Sequence, residues 1–143
     1  MRGYVAFLLM ALGIFFIDRA IKELFLQGFF WQSRCITLGY VLNKGVAFSL
    51  LSFLGQWLKW ILVAAIAAVF GYMLRQGWIS KHPLALGTLF GAALGNLYDR
   101  FAYGGVIDYV YWHCGFNFAV FNFADVMIDL AIFWLIYLHF KKN

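Results

Sequence analysis

The sequence predicts an all-α membrane protein with four transmembrane helices, and three observations lead there. Of its 143 residues, 65% are hydrophobic and only 12% are charged, against about 25% charged in soluble domains. The mean hydropathy is +0.83. Four apolar segments, each near the ~20 residues that cross a ~30 Å hydrocarbon core, alternate with polar or aromatic connections. A chain of this length is expected to form a single integral membrane domain over residues 1–143.

The first span covers about residues 4–26 and carries Asp18, Arg19, Lys22 and Glu23 in its second half. No A-x-A-like site follows its apolar run, so it reads as an uncleaved span and not as a signal peptide. The second span covers about 57–74, the third about 83–98 (somewhat short) and the fourth about 120–140. Arg2, Arg75, Lys81, Lys141 and Lys142 lie in the two termini and the loop between spans two and three, with no acid among them. The positive-inside rule makes these segments cytoplasmic. The longer connections, about 27–56 and 99–119, then face outward. The net charge of +5 is thus a topology signal, and no nucleic-acid partner is expected. Within the third span, LGTLFGAALG puts Gly87, Gly91 and Gly95 on one helical face, where a second backbone can approach closely. The run lacks the lysine of a phosphate loop.

Most catalytic chemistries find no pattern here. Cys35 and Cys114 both fall in outward connections, where an oxidising compartment permits a disulfide. Sequence alone does not bring them within bonding distance, so both states stay open and the unpaired one is favoured. His113 beside Cys114 lacks any CxxC, HxxxH or HExxH spacing, and no metal or other cofactor is expected. His82 and His139 sit at cytoplasmic span ends, suited to snorkelling or carbonyl capping. GVAFS does not place its serine between the glycines of a GxSxG elbow.

Carboxylates and asparagines remain. An ionisable residue inside a span costs roughly 2.5–3.5 kcal/mol on insertion scales and is a functional candidate by default. At 1.5 Å per helical residue, Asp18 stands about 24 Å above Arg2, Asn96 about 22 Å above Lys81 and Asp125 about 24 Å above Lys141. Three spans therefore bring polar residues to one level, just below the outer surface. Each has a purely structural alternative. Asp18 and Lys22 are one turn apart and can neutralise each other; Asn96 can cross-link helices; Asn122 can cap a helix whose first turn holds Asp125. Their convergence favours a site. Asp18, Asp99, Asp125 and Asp129 would also suit a proton or ion relay, but no internal repeat is visible and the layer lies off the midplane. A structural subunit with paired helices is the third option.

Five blocks in order carry a family likeness. FFIDRAIK, VLNKGVAFSLL, GAALGNLYDR, GGVIDYV and FNFAD together resemble the lipoprotein signal peptidases (signal peptidase II), membrane aspartyl proteases of bacteria. The resemblance covers nearly the whole chain. It implies a four-transmembrane-helix bundle with a small extracytoplasmic β-rich cradle. It also implies a diacylglyceryl-modified prolipoprotein substrate, cut on the amino side of the lipidated cysteine without a metal. On that resemblance the catalytic pair is Asp108 and Asp125. Asp18, Lys22, Asn43, Gly45, Asn96, Asp99, Arg100 and Asn122 match the supporting positions. The expected location is the bacterial cytoplasmic (inner) membrane, with both termini cytoplasmic and the site near the outer interface. Membrane lipid is an expected partner, and a monomer the expected state.

Some positions depart from the pattern: Arg19 stands for a usual glutamine, Lys44 for a threonine, Val46 for an alanine and Tyr109 for a phenylalanine. Asp129 matches no family position. Asn43 and Asn122 are candidates to hold the substrate backbone, and Arg100 to orient the loop joining the two aspartate blocks. The two acids of GNLYDRFAYGGVIDYV separate on physical grounds as well. Asp99 ends the third span, where a neighbouring cation such as Arg100 would offset an unfavourable carboxylate. Asp108 lies in an extended, apolar run, VIDYVY, that can raise its pKa. Asp108 is read as the chemical group and Asp99 as scaffolding.

Overall fold

The computed structural model describes residues 1–45, 51–116 and 118–141. Val46, the Ala47–Ser49 part of the second block and Lys142 lie outside the described residues. In chain order the elements are α1 (Arg2–Leu26), β1 (Trp31–Gln32), β2 (Ile36–Asn43), a 3-10 turn at Ser52–Leu54, α2 (Trp57–Arg75), α3 (Trp78–Lys81), α4 (Pro83–Ala102), β3 (Val106–Trp112) and α5 (Phe123–Lys141).

Helices α1, α2 and α5 are long and apolar enough to cross a membrane. Helix α4 has 20 residues, but holds Asn96, Asp99 and Arg100. Leu9, Phe16, Phe133 and Phe140 stand bare on the outer helix faces. Such an apolar surface fits a membrane-embedded protein, because water would leave it uncovered at high cost. Two boundaries differ from the sequence expectation by more than two residues. The third helix runs four residues past Tyr98 through Asp99 and Arg100, since both charges find partners in the fold. The fourth begins at Phe123, because Asn122 caps it.

Small apolar clusters mark successive levels. Ile79, Leu86 and Phe90 pack with Phe7 near the α3 end. Ile14, Ala92 and Ala124 join α1, α4 and α5 in the middle. Phe25, Ile107 and Tyr109 tie α1 to β3 at the other end.

The connections between α1 and α2 and between α4 and α5 supply a small antiparallel sheet in the order β1-β2-β3. Asn43 pairs with Val106, Val41 with Asp108 and Ile36 with Trp112, with a register shift between Leu38 and Val41. Gly104, at φ +76, turns the chain from α4 into β3; this left-handed conformation is one that glycine adopts without strain. At the far end of the β2–β3 ladder Cys35 and Cys114 form a disulfide, and the His113 N–H donates to the Cys35 carbonyl at 2.9 Å. The free-thiol state favoured from sequence is therefore corrected: strand pairing closes a separation of 79 residues.

Candidate active site

The two aspartates reach one place by different routes. Strand side chains alternate between faces. Ile107 and Tyr109 accordingly pack toward Phe25, while Val106 and Asp108 line a cavity of about 490 Å³. The segment entering α5 is fastened to the same strand. The Tyr109 and Val110 N–H groups both donate to the Phe121 carbonyl, at 3.1 and 2.9 Å, and the Phe121 N–H returns to Val110 at 3.1 Å. The first turn of α5, with Asp125, is thereby set beside Asp108, and Asp125 lines the same cavity.

Asn122 bridges the pair. Its Nδ2 donates to Asp108 Oδ1 at 2.8 Å, and its backbone N–H donates to Asp125 Oδ2 at 3.0 Å. The Asp125 N–H donates back to Asn122 Oδ1 at 3.0 Å, completing a reciprocal helix cap of the kind expected from the spacing. Asn43 Nδ2 donates to Asp108 Oδ2 at 2.9 Å. Asn96 Nδ2 donates to Asp125 Oδ1 at 2.8 Å. Each of the four carboxylate oxygens thus accepts an N–H. Asp108 is 1% exposed, and burial pushes its carboxyl up to about 6. The Asp125 charge adds to that rise, while the bonds from Asn43 and Asn122 oppose it. Desolvation disfavours the charged form, so this acid is poised to hold a proton near neutrality.

The polar layer is a connected network. Lys22 Nζ lies 2.8 Å from Asp18 Oδ2 and 2.7 Å from Asp99 Oδ2, and donates to Asn96 Oδ1 at 2.9 Å. All three residues of the Asp18–Lys22–Asp99 cluster are fully buried. The ammonium contact to Asp18 is an ion pair without hydrogen-bond geometry, leaving both Asp18 oxygens without a hydrogen-bond donor. Asp99 Oδ2 also accepts the Ile107 N–H at 3.1 Å, holding the strand residue next to Asp108.

One assignment is corrected. Arg100 does not pair with Asp99 among the described residues; it donates to the Gly45 carbonyl. It therefore braces the segment leaving β2 and not the loop between the aspartate blocks. Gly45 in turn donates its N–H to Asn43 Oδ1 at 3.0 Å, so Arg100, Gly45 and Asn43 form one support for Asp108. Asp99 takes Arg19 and Lys22 as its cations. All ten residues singled out from sequence belong to this assembly, with Asp129 one turn below Asp125 on the cavity wall.

Sequence reading gave Tyr109 no role. Its hydroxyl accepts the Phe123 N–H at 2.9 Å, and its ring stacks on Phe25 at 4.1 Å. Burial pushes the phenol above its ordinary value, so it stays a neutral acceptor at the helix start. The signal was a hydroxyl one residue after an acid in an otherwise apolar strand.

Comparisons with known proteins agree with one another. The family model described as "Signal peptidase (SPase) II" matches residues 10–141. A "Lipoprotein signal peptidase" from Sulfurovum sp. is 54% identical over 136 residues, covering 95% of this chain and 93% of that one. Proteins of the same description from Sulfurimonas denitrificans and Helicobacter pylori are 53% and 49% identical. They cover 92% and 87% of this chain, and 85% and 83% of their own lengths. Two solved structures described as bacterial membrane enzymes share the fold. One has a TM-score of 0.77 at 23% identity, covering 94% of this chain and 87% of that one. The other has a TM-score of 0.76 at 22% identity, covering 96% and 94%. With a family match spanning most of its length and relatives near half identical, the chain is a peptidase that belongs to the signal peptidase II family.

Proposed function

We propose that this chain is an aspartic endopeptidase that removes the signal peptide from diacylglyceryl-modified prolipoproteins. It cuts on the amino side of the lipidated cysteine, with Asp108 and Asp125 as the catalytic pair. The observation that carries the reading is the meeting of these two carboxylates at one cavity, bridged by Asn122 and with an N–H on every oxygen. The names of the relatives supply the substrate class.

The pair needs no cofactor. Close like charges cannot both ionise cheaply, so one carboxyl keeps a proton while the other is ionised. The ionised group takes a proton from water as the water oxygen attacks the scissile carbonyl carbon. The protonated group gives its proton to the leaving nitrogen as the C–N bond breaks. The proton ends on the opposite carboxylate, and exchange with solvent resets the pair.

Placement explains the lipid requirement. Helix α4 acts as a fourth span beside α1, α2 and α5, in a single domain over residues 1–143. Arg2, Arg75, Lys81 and Lys141 mark the cytoplasmic side of a bacterial inner membrane. The sheet rests as a cradle on the opposite face, where its disulfide suits an oxidising compartment. Exposed Phe29, Phe30 and Trp31 suit the interface. A diacylglyceryl cysteine is held in the bilayer by about 0.8 kcal/mol per buried CH₂, so a site at headgroup level meets the scissile bond without extracting the lipid. A monomer contains every residue of the assembly.

The test is mass analysis of a diacylglyceryl-modified peptide after incubation with purified enzyme, alongside the unlipidated peptide. The expected product begins with the lipidated cysteine, in chelator as well as without it. No cleavage, or equal cleavage of the unlipidated peptide, would overturn the substrate assignment.

A further inference from the structure

Arg19 is a cation beside a buried charge cluster, and the mechanism above gives it no task. Its guanidinium pairs with Asp99 Oδ1, lies 4.7 Å over the Tyr98 ring and 5.7 Å from that of Tyr103. Its Nη2 donates to the Tyr103 hydroxyl at 3.5 Å. Its side chain is 15% exposed, and Asp99 is fully buried. Two tyrosines and one carboxylate therefore define where this guanidinium sits, as a planar cation favours.

The charge count shows what the guanidinium contributes. Asp18, Lys22 and Asp99 together hold two carboxylates against one ammonium, an excess of one negative charge away from water. Arg19 balances it. A buried ion lacking its partner is strongly unfavourable, so without Arg19 the Lys22 ammonium would be drawn more fully onto Asp99. As it stands, Lys22 is shared with Asn96 Oδ1, which also accepts Asn122 Nδ2 at 3.1 Å. Two donors on that oxygen fix the amide. Flipping it would set an NH₂ against an ammonium and a second NH₂. In the fixed orientation Asn96 Nδ2 faces Asp125 Oδ1 at 2.8 Å.

We propose that Arg19 is a positioning residue for the carboxylate pair. By holding Asp99, it leaves Lys22 free to orient Asn96, and Asn96 then presents its NH₂ to Asp125. The influence runs from Arg19 through Asp99, Lys22 and Asn96 to a group Arg19 does not touch. The ionisable groups around this path are Asp18, Lys22 and Glu23 on α1; Tyr98, Asp99 and Arg100 on α4, with Tyr103 just beyond; Asp108 and Tyr109 on β3; and Asp125 and Asp129 on α5. No histidine is among them, so a change in the pH profile between about pH 5 and 8 reports on the carboxylate pair.

The inference rests on the peptidase reading, and wild-type cleavage of the lipidated peptide tests that separately. The experiment compares pH profiles of kcat and KM for wild type, Arg19→Gln and Arg19→Lys. Loss of a nearby cation disfavours ionised carboxylates. Arg19→Gln should therefore move the profile to higher pH by about half a unit or more and lower kcat about three- to tenfold, with KM changed less than about twofold. Arg19→Lys should restore most of both. Melting in detergent separates a folding effect. A lowered melting temperature with uniform loss at every pH, or a profile that does not move, would overturn the proposal. So would a change confined to KM.

Discussion

Helices α1 and α4 meet along one seam whose two halves are built from opposite materials. In the half nearer Pro83 the contact is apolar and close, with Phe7 against Phe90 and Ile14 against Ala92. A Cβ on Gly87 would overlap the Phe7 carbonyl, and one on Gly91 would overlap that of Ala11. In the other half the same helices meet through Asp18, Arg19, Lys22, Asn96 and Asp99. Gly95 is the changeover, since a Cβ there would meet the Asp18 carboxylate and not a backbone. The dry half sets the separation by contact alone. The polar half depends on that separation, because Lys22 reaches Asp99 and Asn96 only when the helices are close. The two halves therefore divide the work: glycines bring the helices together, and charges use the closeness to place the carboxylate pair.

The sharpest way to break the polar half is Lys22→Met. It leaves Asp18 and Asp99 buried with only the Arg19 pair to Asp99 among the described residues, and removes one of the two donors that fix Asn96. The expected loss is about 3–5 kcal/mol of stability, read as a lower melting temperature in detergent, together with loss of cleavage. A variant as stable and active as wild type would mean the cluster is incidental.

Asp108→Asn probes the cost of the site itself. The carboxyl is raised to about 6 from 3.8, so the folded protein holds this proton more tightly than the unfolded chain. Its contribution to stability is fully present below the unfolded value and is lost as pH rises from about 4 to about 6. The difference is on the order of 3 kcal/mol. Asparagine avoids that penalty and should melt higher than wild type at pH 8, with the advantage vanishing near pH 4. An equal or lower melting temperature at pH 8 would show that the neighbouring amides stabilise the anion.

Gly91→Ala tests the dry half and should cost about 1–3 kcal/mol through overpacking. Cleavage should fall by one factor at every pH, in contrast to the shifted profile expected for Arg19→Gln. A shifted profile in Gly91→Ala would erase the distinction between the halves.

Much of this was legible in the chain. Apolar runs located the long helices, and the shared depth of Asp18, Asn96 and Asp125 located the polar layer. The three-residue step from Asn122 to Asp125 signalled the cap, and the extended, apolar run VIDYVY signalled β3. What escaped depended on partners from other elements. Arg100 looked like the counter-ion of Asp99 because it follows it, but successive helical residues do not face each other. Arg100 turns to Gly45, and the cation for Asp99 comes from α1. The third helix looked shorter because a span was assumed to end at charges, whereas Asp99 and Arg100 are buried and bonded within the fold. The disulfide waited on the pairing of Ile36 with Trp112, a long-range register that spacing does not reveal.

The central claim is that Asp108 and Asp125 together perform the hydrolysis. It is tested most directly by turnover of the diacylglyceryl-modified peptide with Asp108→Asn and Asp125→Asn, each purified in detergent and confirmed folded by melting. Each substitution should lower kcat by about 10³-fold or more, and the double variant should be no worse than the weaker single one, as expected of groups acting as a unit. Cleavage within about tenfold of wild type in either single variant would contradict the account.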